Sequence, residues 1–278
     1  MSEKQRSKVR NTLPTIREVI AKYKLSSKKS LGQHFILDSN LTDKIARIAG
    51  VKGEKVIEIG PGPGGLTRSL LKEGARQVVA IEKDKNCIAA MEELKLTYLD
   101  KLVIIEADAK NFSLSKIQQP PFKIVSNLPY NISIPLLLRW LKDISCISDM
   151  TLMFQREVAE RLAAKPSTKS YGRLSVITQW RCEVKSKFNI DPLAFTPPPK
   201  IDSTLVTLLP RERSGLQIHW SKLELVTKLA FSQRRKMIKS SLRDLSLDFE
   251  DLGIDPTLRA ENLTVNQYCQ LASSLFYN

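Results

Sequence analysis

The residues best suited to chemistry close a short apolar run, in the segment KIVSNLPY at 123–130. Asn127 offers a side-chain oxygen, and the carbonyl of Leu128 offers a second acceptor because Pro129 holds the residue before it extended. Two such acceptors suit the N–H groups of an exocyclic amine, whose nitrogen they would polarise for attack on a methyl group. Tyr130 adds an aromatic face for stacking a base. The alternative is a simple strand-to-loop turn, since Asn and Pro are common turn formers.

A transfer of this kind depends on alignment more than on a strong base, because the amine proton becomes acidic once the nitrogen is alkylated. It needs a pocket for a methyl donor, which VIEIGPGPGGLT at 56–67 predicts. Glycines there let the backbone turn sharply and approach a ligand that side chains would exclude. They are Gly60, Gly62, Gly64 and Gly65. A dinucleotide site or a plain tight turn would share the pattern.

Two acidic residues end the next two predicted strands. Glu82 stands 22 residues after Gly60, where a carboxylate accepts both ribose hydroxyls of an adenosine in NAD and S-adenosylmethionine sites. Asp108 ends the third strand, from which its carboxylate could accept from an adenine amine. Either acid alone could be a solvated residue. Together, at the edge where open α/β sheets bind ligands, they favour an adenosine-containing cofactor.

These residues require a sheet that brings them to one edge. Short β-branched runs alternate with amphipathic helical stretches, which is typical of a parallel sheet wrapped by helices. The predicted strands are Lys55–Gly60, Gln77–Glu82, Leu102–Asp108, Lys123–Asn127, Thr151–Gln155, Lys185–Asn189 and Ser203–Leu209. A helix with an apolar face follows the first strand, and Gly74 is placed to end it.

After Pro210 the alternation stops and short helices are predicted. One covers Thr264–Leu275, where Thr264 and Gln267 are spaced as a capping box. The three prolines of FTPPP at 195–199 predict a stiff, extended connector. A domain boundary is therefore predicted near 200–212.

The charge favours a polyanionic partner. Lys and Arg total 44 against 29 acids, for a net charge of +15 and a pI near 9.7, which strengthens association with phosphates. Residues 1–30 hold nine of these bases, with Glu3 and Glu18 as the only acids. A second cluster comprises Arg234, Arg235, Lys236 and Lys239. Either cluster could be solvated surface, but two of them favour nucleic acid.

Other classes of protein are not favoured. No apolar run approaches the roughly 18 residues of a membrane span, and no signal-peptide stretch follows the basic start, so a soluble intracellular protein is expected. The cysteines form no CxxC pair, and the chain has two histidines, His34 and His219. Neither a metal site nor a disulfide framework is therefore expected.

As a whole, the chain resembles the ribosomal RNA adenine dimethyltransferase family, which includes the bacterial enzyme of small-subunit maturation and its mitochondrial counterpart. The motifs that carry the resemblance are KKSLGQHFILD (28–38), EIGPGPGGLT (58–67), SNLPYNIS (126–133), FQREVAERLAA (154–164), YGRLSV (171–176), FTPPPKIDS (195–203) and FSQRRKMIKSSL (231–242). The family implies an enzyme that uses S-adenosylmethionine to dimethylate two adjacent adenosines in the 3′-terminal hairpin of small-subunit ribosomal RNA.

The resemblance also implies residue roles. The cofactor-binding residues would be His34, Ile36, Gly60, Gly62, Glu82, Asp108 and Asn127. The catalytic residues would be Asn127, Leu128, Pro129, Tyr130 and Phe195, and the RNA-binding residues Arg234, Arg235, Lys236 and Lys239. Phe195 would pack on the target base, with a core position as the alternative. The family often has Asn where His34 stands, which indicates a backbone-mediated contact rather than acid–base chemistry.

The implied fold is α/β, a Rossmann-like seven-stranded methyltransferase sheet with a small all-α C-terminal domain. The expected organisation is a basic N-terminal segment (1–30), a methyltransferase catalytic domain (31–209) and a helical RNA-binding domain (210–278). The expected partners are small-subunit ribosomal RNA and the immature small subunit, bound by a monomer. The expected location is the cytoplasm, with the mitochondrial matrix as alternative because LPTIREVI and IDPTLR resemble that branch.

Two other hypotheses stay open. A related large-subunit methyltransferase that confers macrolide resistance usually has isoleucine where Leu128 stands. A binding protein, such as an assembly or transcription factor, would keep the fold and use its basic surface alone, although the intact NLPY segment and the strand-end acids favour an enzyme.

Overall fold

The computed structural model describes residues 13–25, 34–211 and 218–275. Most of the basic segment 1–30 and the start of the first motif lie outside these residues. The strands are β1 (Phe35–Ile36), β2 (Lys55–Ile59), β3 (Gln77–Glu82), β4 (Leu102–Glu106), β5 (Phe122–Ser126), β6 (Ile147–Gln155), β7 (Cys182–Ile190), β8 (Phe195–Thr196) and β9 (Ser203–Pro210). The α-helices are α1 (Ile16–Lys22), α2 (Ser39–Ala49), α3 (Gly65–Lys72), α4 (Lys85–Tyr98), α5 (Tyr130–Lys142), α6 (Arg156–Ala163), α7 (Arg173–Arg181), α8 (Trp220–Ser232), α9 (Ile238–Ser241) and α10 (Val265–Ser273).

The described residues form a seven-stranded sheet in the order β4-β3-β2-β5-β6-β9-β7, and β1 pairs with β8 separately. Each of the seven predicted strands is present, and the fold is the predicted α/β class with helices in the C-terminal region. Strands β2, β3 and β4 are parallel, with Lys55 opposite Gln77 and Val78 opposite Leu102. The glycine-rich loop and the two strand-end acids therefore follow neighbouring parallel strands.

The expectation of a fully parallel sheet is wrong at β9, which runs antiparallel to both β6 and β7. Residues 191–202, which join β7 to β9, contain a 3₁₀ turn at Pro192–Ala194 and the two residues of β8, but no α-helix. Parallel neighbours need a crossover, usually a helix, whereas antiparallel neighbours do not. The FTPPP sequence in this connection did not predict that β9 would run antiparallel to its neighbours.

The chain divides into two compact units. The first comprises residues up to 113, 125–129 and 193–199, and the second comprises 114–124, 130–192 and the residues from 200 onward. The first unit has a core of buried aliphatic side chains from β2 and β3, where every residue of β2 is buried. The division of the chain into 1–30, 31–209 and 210–278 stays a prediction.

The second unit has a core that joins the C-terminal helices to aromatic side chains from the middle of the chain. The rings of Tyr171, Phe231 and Tyr268 pack in sequence, with centroids 6.2 and 5.6 Å apart. The Tyr268 hydroxyl donates to the carbonyl of Ala260 at 2.6 Å. The predicted capping box of the last helix is confirmed, because Thr264 Oγ1 accepts from Gln267 N and the Gln267 side chain accepts from Thr264 N.

No described helix combines the length and the apolar character that crossing a membrane would take. In the same ranges, no three His, Cys, Asp or Glu side chains are grouped to hold a metal. None of the four cysteines is in a disulfide. Burial raises the pKa of the Cys182 thiol to about 12, so that side chain stays protonated and unreactive at neutral pH.

Candidate active site

The glycine-rich loop lies between β2 and α3 and takes a backbone form that other residues rarely adopt. Gly60, Gly62 and Gly64 have φ values of +64°, +56° and +84°. At Gly62 a Cβ atom would lie 2.9 Å from the ring of Phe35, and at Gly60 it would lie 3.8 Å from Pro129. Conformation favours glycine at all three positions, and close packing also requires it at Gly62. The loop thus passes directly beside two other motifs, QHFI and NLPY.

Glu82 ends β3 with its carboxylate against this loop. Its Oε1 accepts from the backbone N–H groups of Lys83 and Asp84 at 2.8 and 2.9 Å, and Oε2 lies 3.4 Å from the N–H of Gly62. Burial raises the pKa of Glu82, against the opposing effect of these N–H donors. The donors hold the carboxylate in one orientation. An adenosine ribose, which offers two hydroxyl donors, suits such a fixed double acceptor.

Asp108 follows β4 and is also held by the backbone. Its Oδ1 accepts from the N–H of Lys110 at 2.9 Å, and its Oδ2 lies 3.5 Å from the ammonium of Lys83. The hydrogen bond from the backbone N–H of Lys110 and the positive charge of Lys83 both lower the pKa of Asp108. The Asp108 carboxyl group is therefore ionised at neutral pH. It can therefore accept a hydrogen bond from an adenine amine.

Glu58 is a residue of this region that the sequence analysis did not single out. It lies within β2 and is 2% exposed, and the hydroxyl of Thr67 in α3 donates to its carboxylate at 2.6 Å. Burial raises its pKa to about 8, and the nearby Glu82 adds to the effect. The available signal was an acid between Ile57 and Ile59, in a run otherwise suited to a buried strand. The Thr67–Glu58 bond ties the first turn of α3 to the strand before the glycine loop.

His34 and the residues after it link several parts of the site. Ile36 lies opposite Phe195, and Phe35 opposite Thr196, in the β1–β8 pair. The His34 ring nitrogen Nδ1 lies 2.7 Å from the carbonyl of Pro197, which can only accept, so Nδ1 carries the proton. The main-chain carbonyl of His34 accepts from the Asn127 side chain. The contact to NLPY is thus made by the backbone of His34.

Asn127 occupies the exit from β5 with its amide orientation fixed. Its Nδ2 donates to the carbonyl of His34 at 2.8 Å, which leaves Oδ1 as the end of the amide that can accept from a ligand. The residue before it, Ser126, donates to the carbonyl of Ile59 at 2.6 Å and so ties the end of β5 to the end of β2. The structure thereby brings the predicted amine acceptor beside the predicted cofactor loop.

The other predicted catalytic residues differ in exposure. Leu128 is buried at 1% exposure, whereas Pro129 and Tyr130 are partly exposed. Tyr130 begins α5, and its hydroxyl lies 2.5 Å from Ser203 Oγ. Phe195 is 2% exposed, and its ring meets that of His34 edge-on at 6.4 Å. This burial is what the core alternative expects, and the base-packing role of Phe195 stays a prediction.

The predicted RNA-binding residues belong to the second unit, where they fall into two kinds. Arg235, Lys236 and Lys239 are exposed. Arg234 is 46% exposed at its side chain and pairs with Glu261 at 3.0 Å. The basic cluster therefore contains three outward cations and one that is held by the protein.

Comparison with known sequences identifies the family of the chain. The sequence model of one family, described as ribosomal RNA adenine dimethylase, matches residues 24–276. A ribosomal RNA small subunit methyltransferase A from Paramagnetospirillum magneticum is 53% identical over 268 residues, which cover 95% of each chain. The protein of that name from Rhodospirillum rubrum is 48% identical over 268 residues, covering 95% of this chain and 93% of that one.

Solved structures give a similar result. A dimethyladenosine transferase from Plasmodium falciparum has a TM-score of 0.75 and 28% identity, and the match covers 86% of this chain and 96% of that chain. The 23S rRNA methyltransferase ErmE has a TM-score of 0.66 and 25% identity, covering 87% of this chain and 99% of that chain.

Gly62→Ala tests the close approach of the glycine loop to Phe35. Alanine would incur the left-handed backbone penalty of roughly 1–2 kcal/mol and would also push the Phe35 ring out of its seat. We expect weaker binding of S-adenosylhomocysteine, measured by calorimetry. Gly53→Ala is the matched control, since Gly53 also has a positive φ, +77°, but nothing lies within 4 Å of its added Cβ. Equal affinities of the two variants would contradict the packing argument.

Glu58→Gln tests the buried carboxyl. The folded-state pKa, about 8, lies above the unfolded value of roughly 4.3. Between these values the unfolded chain has lost a proton that the folded protein keeps, so stability falls as the pH rises. Glutamine loses no proton and still offers an acceptor to Thr67. We expect the free energy of unfolding of this variant in urea, relative to the wild type, to rise by roughly 1.4 kcal/mol for each pH unit between about pH 5 and about pH 8. A difference independent of pH would argue against a raised pKa.

Proposed function

The chain belongs to the ribosomal RNA adenine dimethylase family, and from this we propose that it dimethylates two adjacent adenosines in the 3′-terminal hairpin of small-subunit ribosomal RNA. It is a methyltransferase, and its reaction is the dimethylation of adenine in ribosomal RNA. The single observation that carries the mechanism is the 2.8 Å bond from Asn127 Nδ2 to the His34 carbonyl. This bond reserves the amide oxygen for the amino group of the target base.

The first unit of the chain fits S-adenosylmethionine as the methyl donor. Glu82 would hold the ribose and Asp108 the adenine, because both carboxylates are oriented by backbone donors. The backbone at Gly60 and Gly62 would approach the methionyl part closely, and the backbone of His34 and Ile36 would cover it. Bound there, S-adenosylmethionine supplies a methyl group activated by its sulfonium charge.

The reacting amine would be held by two acceptors. Asn127 Oδ1 and the carbonyl of Leu128, which Pro129 keeps extended, would each accept one N–H group of adenine. These bonds turn the nitrogen lone pair out of the ring and towards the methyl group, so that alignment and polarisation lower the barrier. The proton leaves to water after the nitrogen is alkylated. Tyr130 would stack on the extruded base, and Phe195 would support its other face.

The small subunit is favoured over the large one as substrate. The relatives at 53% and 48% identity are named for the small subunit, whereas ErmE, named for 23S rRNA, is 25% identical. Leu128 also favours the small subunit as substrate, because the large-subunit branch usually has isoleucine at this position. The immature small subunit would be the physiological partner of a monomer working in the cytoplasm. The named bacterial relatives favour the cytoplasm over a mitochondrial matrix.

The test is incubation of the protein with labelled S-adenosylmethionine and immature small subunits, followed by nucleoside analysis of the RNA. We expect N6,N6-dimethyladenosine at two neighbouring positions. The control is the same incubation with large subunits, which should stay unlabelled. Label in large subunits alone would favour the ErmE-like alternative, and binding to RNA without label in either subunit would favour a binding protein.

Asn127→Ala tests the amine acceptor. Loss of a polarising contact of this kind lowers a catalytic rate by roughly 100-fold or more, so we expect methyl transfer to fall below detection. RNA affinity should stay nearly unchanged. Asn40→Ala, at an exposed asparagine of α2, is the matched control and should transfer methyl groups normally. A parallel loss of RNA binding in Asn127→Ala would contradict the assigned role.

A further inference from the structure

Arg234 is held by an exposed loop and a short turn of the second unit. Its Nη2 atom lies 3.2 Å from the carbonyl oxygen of Lys169, 3.0 Å from that of Tyr171 and 3.0 Å from the carboxylate of Glu261. Tyr171 is fully buried in the aromatic core of this unit. The guanidinium therefore joins the end of the 165–170 loop to the 3₁₀ turn at Ala260–Asn262.

The same loop has further bonds to that turn. The N–H of Ser167 donates to the carbonyl of Glu261 at 2.7 Å, and Asn262 Nδ2 donates to Ser167 Oγ at 3.2 Å. Within the loop, Thr168 Oγ1 donates to the carbonyl of Lys165 at 2.7 Å. An exposed stretch of six residues is thus fixed in one conformation, although little of it is buried.

The loop carries two cations and no acid. Lys165 and Lys169 are exposed, and the carboxylate of Glu261, whose main-chain carbonyl accepts from the loop, is paired with Arg234. On the other side of Arg234 in the chain, Arg235 and Lys236 are exposed as well. Arg234 therefore contacts the backbone of the loop that carries one pair of exposed cations, and the other pair follows Arg234 directly in the chain.

We propose that the 165–170 loop is an RNA-binding surface in which Lys165 and Lys169 contact phosphates, and that Arg234 is the residue that positions it. This inference rests on the proposed function, because it takes ribosomal RNA as the partner. Lysine ammonium groups are point charges suited to phosphates rather than to reading base edges. A loop that is already ordered loses less conformational entropy on binding than a mobile one. The surface continues from the loop to Arg235 and Lys236.

The first test is the variant Lys165→Ala/Lys169→Ala, measured as affinity for immature small subunits at several salt concentrations. Each phosphate contact contributes about 0.7–0.9 to the slope of log affinity against log salt. We expect the slope to fall by about 1.5, with S-adenosylhomocysteine binding unchanged. Lys52→Ala/Lys101→Ala removes two exposed lysines of the first unit and is the control for net charge. Equal slopes in the two double variants would overturn the proposal.

The second test uses Glu261→Ala, for which charge and positioning predict opposite results. Removing an acid from a basic surface should tighten RNA binding if charge alone matters. If Arg234 needs Glu261 to hold the loop, binding should weaken several-fold. Tighter binding would overturn the positioning role of Arg234.

A double-mutant cycle between Arg234→Gln and Lys169→Ala separates positioning from direct contact. If Arg234 acts through the loop, Lys169→Ala should lose most of its effect in the Arg234→Gln background. Additive effects would show that Arg234 binds RNA independently, contrary to the proposal. Thermal unfolding of each variant checks that the second unit remains folded.

The proposed enzymatic function and the proposed RNA-binding loop can be tested independently of each other. If the wild type forms no dimethyladenosine but the loop variants still change the salt slope, the RNA surface stands and the enzymatic proposal falls. If dimethylation occurs and the slopes are equal, the loop proposal alone falls.

Discussion

The site depends on the hydrogen bond between the Asn127 side chain and the main-chain carbonyl of His34. The two ends of a carboxamide are nearly equal in size but opposite in function, and an amine can be polarised only by the oxygen end. Because a carbonyl can only accept, the bond to His34 takes the nitrogen end. The His34 segment is fixed in turn by its bond to Pro197 and by the β1–β8 pair. The orientation of the Asn127 amide is thus determined by a segment about ninety residues earlier in the chain.

The first unit also holds a tightly packed glycine loop and a buried acid close to it. The glycine loop uses left-handed backbone at successive glycines, and Phe35 packs where a side chain on Gly62 would lie. Behind the loop, Glu58 is buried at a cost that grows as it ionises. Two hydrogen bonds at the strand ends stabilise this arrangement. The Thr67 hydroxyl donates to the Glu58 carboxylate, and the Ser126 hydroxyl donates to the carbonyl of Ile59.

Much of the fold and of the site could be predicted because the relevant signals are local. The alternation of β-branched runs gave the seven strands, and Thr264 with Gln267 gave the last helix start. The direction of β9 could not be predicted, since it depends on the pairing partner rather than on the strand's own residues. The two-residue β1–β8 pair could not be predicted from sequence either, because it joins segments that are far apart in the chain. Arg234 looked like its neighbour Arg235 in sequence, and only the fold shows that Lys169, Tyr171 and Glu261 surround it.

The ionisable groups of the site argue for catalysis by alignment rather than by proton abstraction. Burial raises the pKa of Glu82, but the backbone N–H groups that donate to its carboxylate oppose protonation, and the pKa of Asp108 is lowered, which makes it a weak base. Burial also raises the pKa of Tyr130, so its hydroxyl stays protonated at neutral pH. A strong base would bring little to this reaction, because the unreacted amine is a very weak acid and loses its proton easily only after alkylation. In the proposed reaction the barrier would be lowered instead by holding nitrogen and methyl group in line, a task that suits an oriented amide oxygen rather than a titratable group.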